Sequence, residues 1–409
     1  MIRRPEAPGP LSRRGPRPLL LHLSLAWMKS SGLAAGSLNW SNVWPSFWNV
    51  EMTAPDPARM KTAFEEALRA DRALIAGIAA YRADPYVREM RDPPAVWEEG
   101  ESRLLDYGGS GPAVMFVPSL INRAYILDLM EGGSMLRWLA GQGVHPYLLD
   151  WGWPGEVERG FSLTDYIAGR LERALAAVPG PVVLAGYCMG GLLALAAALR
   201  QPEKVCALAL LATPWDFHAA DPGVAQRVGE ALPVMEAVMR FSNTLPIDAL
   251  NALFTMVDPH GVGGKYRDFA GQQKNSARAR RFVAMEDWLA DGVPLAAPVA
   301  REALGGWYGA NTPARGHWRV AGLAVDPARL EMPVFCAIPE RDRLVPAVSA
   351  RPLAALVKHA KVIEPRAGHI GMIAGTHAQT ALWRPFADWL QGLCSDTAKD
   401  HIQRENSHE

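Results

Sequence analysis

Residues 182–191 read Val182-Val183-Leu184-Ala185-Gly186-Tyr187-Cys188-Met189-Gly190-Gly191. The four apolar residues predict a buried strand, and the alanine- and leucine-rich residues after Gly191 predict a helix. Between them lies the pattern Gly-x-nucleophile-x-Gly, in which a tight strand-to-helix turn exposes one reactive side chain. We therefore predict that Cys188 is a nucleophile at the carboxyl edge of a parallel sheet. The backbone N–H groups and the dipole at the helix N-terminus would favour its thiolate form.

A nucleophile in such a turn needs a base, and the base needs an acid to orient it. In this kind of fold the three groups follow one another as nucleophile, acid and histidine. Asp342 follows an apolar strand predicted at 333–338, and His369 lies between two glycines after a strand predicted at 361–364. We predict a catalytic triad of Cys188, His369 and Asp342. Glu340, on the same turn as Asp342, is the alternative acid.

Two backbone N–H groups are expected to stabilise the oxyanion that forms during acyl transfer. One is the N–H of Met189, directly after the nucleophile. The other should come from the loop after the first buried strand, at residues 118–123. Ile121 is the predicted donor in this loop, and Leu120 is the alternative.

Alternating strands and helices predict an α/β fold with a mostly parallel sheet and helices on both faces. An edge strand is predicted at 102–107, and further strands at 113–117, 144–149, 181–185, 206–211, 333–338 and 361–364. The core would then comprise residues 101–213 and 331–394. The interval 214–330 is too long for an ordinary loop, and its helical runs predict a cap over the site.

Three segments lie outside this core and cap. A helical N-terminal region is predicted at 56–100, with a helix at about 57–82, and residues 395–409 predict a disordered tail. Residues 1–55 form an Arg/Pro- and then Trp-rich extension. The ten residues of its apolar run at 19–28 are too few to span a bilayer. Its tryptophans either pack on the main domain, the favoured interpretation, or lie on a lipid or polymer surface.

Composition excludes several classes of protein. Hydrophobic residues make up 49% and charged residues 21%, which is typical of a globular protein with a large core and excludes a mainly disordered or fibrous chain. Lysine plus arginine number 42 against 42 acidic residues, so no global field attracts nucleic acid. The four cysteines are far apart and match neither a disulfide framework nor a zinc site, which favours a cytoplasmic protein. No metal site and no bound cofactor are predicted.

Six ordered motifs resemble those of poly(3-hydroxyalkanoate) synthases of the α/β-hydrolase superfamily. They are Leu120–Leu129, Leu149–Pro154, Gly186–Gly191, Thr213–Phe217, Asp342–Pro346 and Gly368–Gly371. The resemblance implies polymerisation of (R)-3-hydroxyacyl-CoA into polyhydroxyalkanoate, with the acyl chain carried on Cys188 as a thioester and CoA released. It also implies that His369, assisted by Asp342, deprotonates Cys188 and then the attacking 3-hydroxyl. The sequence departs from the family at Arg343, where a histidine is usual.

The short N-terminal region resembles that of the small-subunit synthases, which work with a partner protein. A homodimer, a partner subunit and contact with a polyester granule all remain open. A thiolate exchanges readily with thioesters, which favours acyl transfer over hydrolysis. The alternatives are a Cys-dependent hydrolase, either an acyl-CoA thioesterase or a polyester depolymerase, and an inactive surface-binding protein.

Three further features have two interpretations each. Basic residues of the cap either meet CoA phosphates or form a solvated helix face; they are Lys265, Arg267, Lys274, Arg278, Arg280 and Arg281. Trp288 and Trp307 either line an acyl channel or pack in the interior. The turn Asp150-Trp151-Gly152 either lines the pocket or only fixes the chain after a strand.

Overall fold

The computed structural model describes residues 13–34, 57–257 and 261–393. The chain divides into two compact units. The first comprises residues up to 88 together with 251–290, and the second comprises 89–250 together with 291 onward. The N-terminal aromatic residues at 40–48 and the tail at 395–409, for which predictions were made, lie outside the described residues. None of the described helices has the length and apolar character needed to cross a bilayer.

The second unit is built on an eight-stranded sheet. Its strands are β1 Ala95–Glu99, β2 Ser102–Asp106, β3 Ala113–Val117, β4 His145–Asp150, β5 Val182–Tyr187, β6 Val205–Leu211, β11 Val334–Ala337 and β12 Ala360–Ile363. Their order across the sheet is β1-β2-β4-β3-β5-β6-β11-β12. Four short strands form two small ribbons: β7 Thr244–Leu245 with β8 Leu295–Ala296, and β9 Arg319–Val320 with β10 Leu323–Ala324. Strands β3, β4, β5, β6, β11 and β12 pair in parallel, and β2 pairs antiparallel with both β1 and β4.

The central parallel strands β3, β5 and β6 are continuous apolar runs because both of their faces are covered. All six residues of β5 are buried, and β3 and β6 are almost fully buried. These strands were predicted to within two residues at either end. The carboxyl ends of β3, β5, β11 and β12 all meet at one edge of the sheet, where the predicted site residues follow them.

One strand prediction was wrong. Residues 102–107 were predicted to form the edge of the sheet, but β1 pairs with β2 on its outer side. The residues of β1, Ala-Val-Trp-Glu-Glu, are all exposed or half-buried and end in two charged residues, as suits a solvent-facing edge. Two charged residues in five weakened the strand pattern in the sequence.

The helices fill the connections between strands. They are α1 Leu19–Ala34, α2 Pro57–Arg82, α3 Met135–Ala140, α4 Glu172–Ala176, α5 Met189–Arg200, α6 Pro222–Glu230, α7 Leu232–Ser242, α8 Ile247–Val257, α9 Gly261–Ala270, α10 Ala277–Ala290, α11 Ala297–Arg301, α12 Ala347–Leu356 and α13 His369–Ala374. Short 3₁₀ helices occupy Ala124–Leu127, Glu158–Gly160 and Pro327–Arg329, and π-helical turns occupy Asp165–Leu171, Glu302–Gly309 and Gln379–Trp383. Residues 384–393 are also helical.

The interval 214–330 is largely helical, but it does not belong to one unit. Residues 251–290, which include α9 and α10, group with α1 and α2 in the first unit. The rest of the interval groups with the sheet. A cap made from the whole interval therefore remains a proposal.

The first unit is a helical bundle with an aromatic core. Tyr81 on α2 and Tyr266 on α9 are completely buried, and Phe282 on α10 packs edge-to-face against both rings. The backbones of α2 and α9 approach closely, since a Cβ atom at Gly77 would lie 1.9 Å from the Tyr266 carbonyl oxygen. The helix predicted at about 57–82 is confirmed by α2.

Candidate active site

The predicted nucleophile lies on a sharp turn between β5 and α5. Cys188 has φ 57° and ψ −127°, a conformation that residues with a side chain rarely adopt. Its N–H donates to the Leu211 carbonyl of β6 at 2.8 Å, and its carbonyl accepts from the Gly191 N–H at 3.0 Å. Hydrogen bonds on both sides therefore hold the strained backbone and present the thiol at the start of α5.

Glycines around Cys188 allow the close approach of α5 to the sheet. A Cβ atom at Gly186 would lie 2.4 Å from the Gly190 carbonyl oxygen, and one at Gly190 would lie 2.1 Å from that of Val117. Both contacts are with backbone, so no side-chain rotation relieves them. The first turn of α5 thus sits directly against the end of β3.

The predicted base and acid lie on two other loops at the same edge of the sheet. His369 Nδ1 is 2.6 Å from Asp342 Oδ2, and the Asp342 side chain is fully buried. The other oxygen, Oδ1, accepts the backbone N–H groups of Leu344 at 2.9 Å and Val345 at 2.8 Å. These bonds fix the carboxylate so that its second oxygen faces the imidazole. Glu340, the alternative acid, is exposed and lies 3.8 Å from the guanidinium of Arg366.

The structure brings His369 together with Cys188 as well as with Asp342. Burial alone would lower the pKa of His369, but the charge of Cys188 and hydrogen bonds to Asp342 and Cys188 outweigh it. Together they raise the pKa of His369 from 6.5 to about 10. The imidazole of His369 therefore interacts with both the sulfur of Cys188 and the carboxylate of Asp342.

The oxyanion loop, which we define as Pro118–Arg123, connects β3 to the 3₁₀ helix at Ala124–Leu127. Its Ile121 N–H donates to the Ser119 hydroxyl at 3.2 Å, while the Ile121 carbonyl accepts from Val293 at 2.6 Å. Within the described chain, the Leu120 N–H donates to no other group. Met189 is the first residue of α5, so its N–H has no acceptor within the helix. Ile121 stays a prediction, and because the Leu120 N–H is unoccupied within the described residues we propose Leu120, the alternative, as the donor of this loop.

The sequence matches known proteins over most of its length. The sequence model of the alpha/beta hydrolase family matches residues 132–381, a range that includes Cys188, Asp342 and His369. The chain is 31% identical over 328 residues to the poly(3-hydroxyalkanoate) polymerase subunit PhaC of Haloferax mediterranei, covering 77% of this chain and 66% of that protein. It is also 31% identical to the PhaC subunit of Synechocystis sp., covering 68% of this chain and 77% of the relative.

The chain belongs to the poly(3-hydroxyalkanoate) polymerase family of α/β-hydrolase proteins. The resemblance stated from the sequence motifs and the predicted fold class are thereby confirmed. Among solved structures, a thermophilic esterase from Thermogutta terrifontis is similar, with 17% identity, coverage of 74% of this chain and 98% of that chain, and a TM-score of 0.45.

Two tyrosines of this polymerase family member contact the site and were not predicted. The ring of Tyr187 lies 5.1 Å from that of His369, and its hydroxyl donates to the His369 carbonyl at 3.3 Å. Tyr187 thus holds the backbone of the base from within the nucleophile turn. Burial and the charge of Cys188 raise the pKa of Tyr308. Tyr187 adjoins Cys188 in the sequence, but nothing in the sequence points to Tyr308.

Aromatic side chains pack around Tyr308. Phe217 packs edge-to-face on Tyr308 with ring centroids 4.9 Å apart, and it stacks on Trp307 at 5.9 Å. Asn311 ties this group together, since its amide bonds to the Asp216 carboxylate at 2.8 Å and to the Phe217 N–H at 3.1 Å. Phe217, Trp307 and Tyr308 therefore form one packed aromatic group.

Several residues that the sequence singled out belong to the first unit and not to the unit that contains Cys188, Asp342 and His369. Trp288 and the six basic residues of the interval belong to the first unit. Lys265 makes an ion pair with Glu286 at 2.7 Å, which is an alternative to a role in phosphate binding. In the described ranges, no group of three or more His, Cys, Asp or Glu side chains is placed to hold a metal ion.

Proposed function

We propose that this chain is an acyltransferase that polymerises (R)-3-hydroxyacyl-CoA into polyhydroxyalkanoate through an acyl thioester on Cys188. The observation that carries the proposal is a cysteine at the nucleophile turn that is hydrogen-bonded to His369, whose Nδ1 lies 2.6 Å from Oδ2 of the buried Asp342. Relatives at 31% identity are named as poly(3-hydroxyalkanoate) polymerase subunits. Acyl-CoA is the substrate, and the proposed chemistry needs no further cofactor or metal.

In the first half-reaction, Cys188 takes the acyl group from CoA. His369 accepts the proton of the Cys188 thiol, and the resulting thiolate attacks the thioester carbonyl carbon. The carbonyl oxygen then becomes an oxyanion, which the N–H groups of Met189 and Leu120 stabilise. When the tetrahedral intermediate collapses, the bond to the CoA sulfur breaks and His369 returns its proton to that sulfur. The products are the acyl-Cys188 thioester and free CoA.

In the second half-reaction, the 3-hydroxyl of another hydroxyacyl thioester attacks acyl-Cys188. His369 accepts the hydroxyl proton, an ester bond forms, and the bond to Cys188 breaks to regenerate the thiolate. Asp342 holds the imidazole in orientation and stabilises its positive charge throughout. The lengthened thioester can then acylate Cys188 again, so that each cycle adds one ester and releases one CoA.

Partners and location follow from the same proposal. The relatives are named as subunits, so we propose that this chain works with a partner subunit. Its growing product is an insoluble aliphatic polyester, so we also propose that it acts in the cytoplasm at the surface of polyester granules.

A product assay with (R)-3-hydroxybutyryl-CoA tests the proposal. CoA release and the fate of the acyl group are followed for the wild type, Cys188→Ala and the matched control Cys206→Ala, at an exposed cysteine of β6. We expect polymer or acyl oligomers from the wild type and the control, and none from Cys188→Ala. Free 3-hydroxy acid formed in step with CoA would make the protein a thioesterase and contradict the polymerase proposal.

A further inference from the structure

We infer that the Asp150–Trp151 turn positions the oxyanion loop, with Trp151 holding its first residue and Asp150 its last. This inference rests on the proposed function, because it assumes that the loop supplies an oxyanion donor. The turn begins at the last residue of β4, which is the parallel neighbour of β3, so it lies at the same edge of the sheet as the loop. Neither Trp151 nor Asp150 belongs to the Cys188–His369–Asp342 group, so both would act as positioning residues.

At the start of the loop, the Trp151 indole donates its N–H to the Pro118 carbonyl oxygen at 3.0 Å. Trp151 is 6% exposed, and the bond is buried, so water does not compete for the carbonyl. Its ring packs edge-to-face on the buried Tyr166 with centroids 5.4 Å apart. The indole therefore has a fixed orientation, and so has the carbonyl to which it donates.

The carbonyl held by Trp151 also contacts the nucleophile helix. A Cβ atom at Gly190 would lie 2.6 Å from the Pro118 carbonyl oxygen, so the first turn of α5 rests on this peptide group. The Leu120 N–H follows two residues later on the same loop. A rotation of the Pro118 peptide would therefore move the loop donor relative to the Met189 donor of α5.

At the end of the loop, the Arg123 guanidinium lies 3.8 Å from Asp150 Oδ2. The same oxygen accepts from Arg103 of β2 at 2.9 Å, and Oδ1 accepts the Gly152 N–H at 3.1 Å. Burial acts to raise the pKa of Asp150, but the charges of Arg123 and Arg103 overcome it and lower the pKa. Asp150 is thus an ionised anchor joining the loop to the sheet.

The turn is itself rigid, which an anchor requires. The Ser102 hydroxyl donates to the Trp151 carbonyl at 3.0 Å, and Ser102 is completely buried. Gly152 has φ +71°, and a Cβ atom there would lie 2.1 Å from the Glu101 carbonyl oxygen, so only glycine fits. The sequence Asp-Trp-Gly therefore has a separate structural requirement at each position.

The test compares Trp151→Phe with Trp318→Phe. Both substitutions remove a buried indole N–H and keep an aromatic ring, but the Trp318 N–H donates to no group of the described chain. Acylation of Cys188 is measured as the burst of nitrophenol from p-nitrophenyl butyrate, which reports the oxyanion site whether the enzyme is a polymerase or a hydrolase. Alkylation of Cys188 by iodoacetamide, a displacement that forms no oxyanion, reports the thiol and its turn alone.

We expect Trp151→Phe to slow the burst by about 10- to 100-fold with little change in KM, and to leave the alkylation rate within about twofold. Arg123→Gln should lower the burst rate less, because its contact with Asp150 is longer. Trp318→Phe should match the wild type in both rates.

Two outcomes would overturn the positioning role: an equal loss of both rates in Trp151→Phe, which would indicate damage to the nucleophile turn, or no loss of the burst. A wild-type burst no faster than that of Cys188→Ala would overturn the oxyanion site itself. A normal wild-type burst without polymer from hydroxyacyl-CoA would instead contradict only the proposed function.

Discussion

The nucleophile turn and the rest of the site are held in place by different kinds of contact. The turn is made by six consecutive residues, Gly186–Gly191, whose glycines and backbone hydrogen bonds leave one conformation for Cys188. The His369–Asp342 pair and the oxyanion loop are assembled from side chains far apart in the sequence. A local turn fails when its own residues change, whereas an assembled group also fails when a distant anchor is lost.

We call Gly186–Gly191 the local half of the site, and the His369–Asp342 pair with the oxyanion loop the assembled half. The largest loss of activity is expected from Asp342→Asn, in the assembled half. The asparagine oxygen can still accept from Leu344 and Val345, but its NH₂ group would then face His369 Nδ1 and impose the wrong tautomer. We expect kcat to fall by about 10³- to 10⁴-fold with the fold intact. Steady-state CoA release and thermal unfolding measure the two effects.

Glu340→Gln is the matched control for this substitution, because Glu340 lies on the same turn at the surface. It should change kcat by less than about twofold, as surface ion pairs contribute little. A greater loss from Glu340→Gln than from Asp342→Asn would mean that the acid has been misassigned.

The next largest loss of activity is expected from Gly190→Ala, in the local half of the site. In Gly190→Ala the new methyl group would lie 2.1 Å from the Val117 carbonyl oxygen, so α5 must move away from β3. We expect activity to fall by about 10²- to 10³-fold, since both oxyanion donors and the sulfur shift, and stability to fall by about 1–3 kcal/mol. Denaturant unfolding and CoA release measure these losses.

Gly392→Ala provides the comparison, because a Cβ atom there meets nothing within 4 Å and the residue is exposed and helical. That variant should be slightly more stable than the wild type, by about 0.5–1 kcal/mol. Equal losses from the two substitutions would contradict the claim that close packing at the turn is specific.

A smaller effect, on the pKa of His369, tests the electrostatic coupling between the two halves of the site. The charge of Cys188 helps to raise the pKa of His369 to about 10. Cys188→Ala should therefore move the pKa of His369 downward, and NMR titration of the imidazole measures the change. An unchanged pKa would show that Asp342 alone sets it.

The same raised pKa has a consequence for stability. Because the folded-state pKa exceeds the ordinary value of 6.5, the stabilisation from protonated His369 is complete below pH 6.5 and is lost as the pH rises through about 10. The free energy of unfolding of the wild type should thus fall more than that of His369→Gln over this range. Parallel curves for the two proteins would contradict the assignment.

The smallest effect separates the two candidate donors of the oxyanion loop. Ser119→Ala removes the acceptor of the Ile121 N–H and leaves Leu120 as it is. If Leu120 is the donor, kcat should fall by less than about fivefold, which corresponds to about 1 kcal/mol for one lost hydrogen bond. A clear rise in kcat would instead indicate that Ile121, once released, is the better donor.

The local half of the site was predictable because the residues that form it are consecutive in the sequence. Glycines on both sides of a cysteine, after an apolar strand, specify the turn without further information. Asp342 and His369 were found because each follows a strand in the order that this sheet requires, and the structure places them 2.6 Å apart. Their catalytic roles remain predictions for the experiments above.

The assembled half was less predictable because it depends on side-chain geometry across strands. The sequence marked Asp150-Trp151-Gly152 as notable, but the bond from Trp151 to Pro118 depends on β4 lying beside β3. The choice of Leu120 over Ile121 depends on a single hydroxyl, that of Ser119. Grouping of residues 251–290 with α1 and α2 depends on helix packing, which apolar periodicity alone does not assign to a partner.

Mass spectrometry of the protein after brief mixing with (R)-3-hydroxybutyryl-CoA tests whether Cys188 carries the growing acyl chain. We expect adducts on the peptide that contains Cys188, with masses that increase by whole hydroxyacyl units as the reaction proceeds. Cys188→Ala should carry none. A single hydroxyacyl unit that never grows, or growing adducts on a residue other than Cys188, would contradict the account.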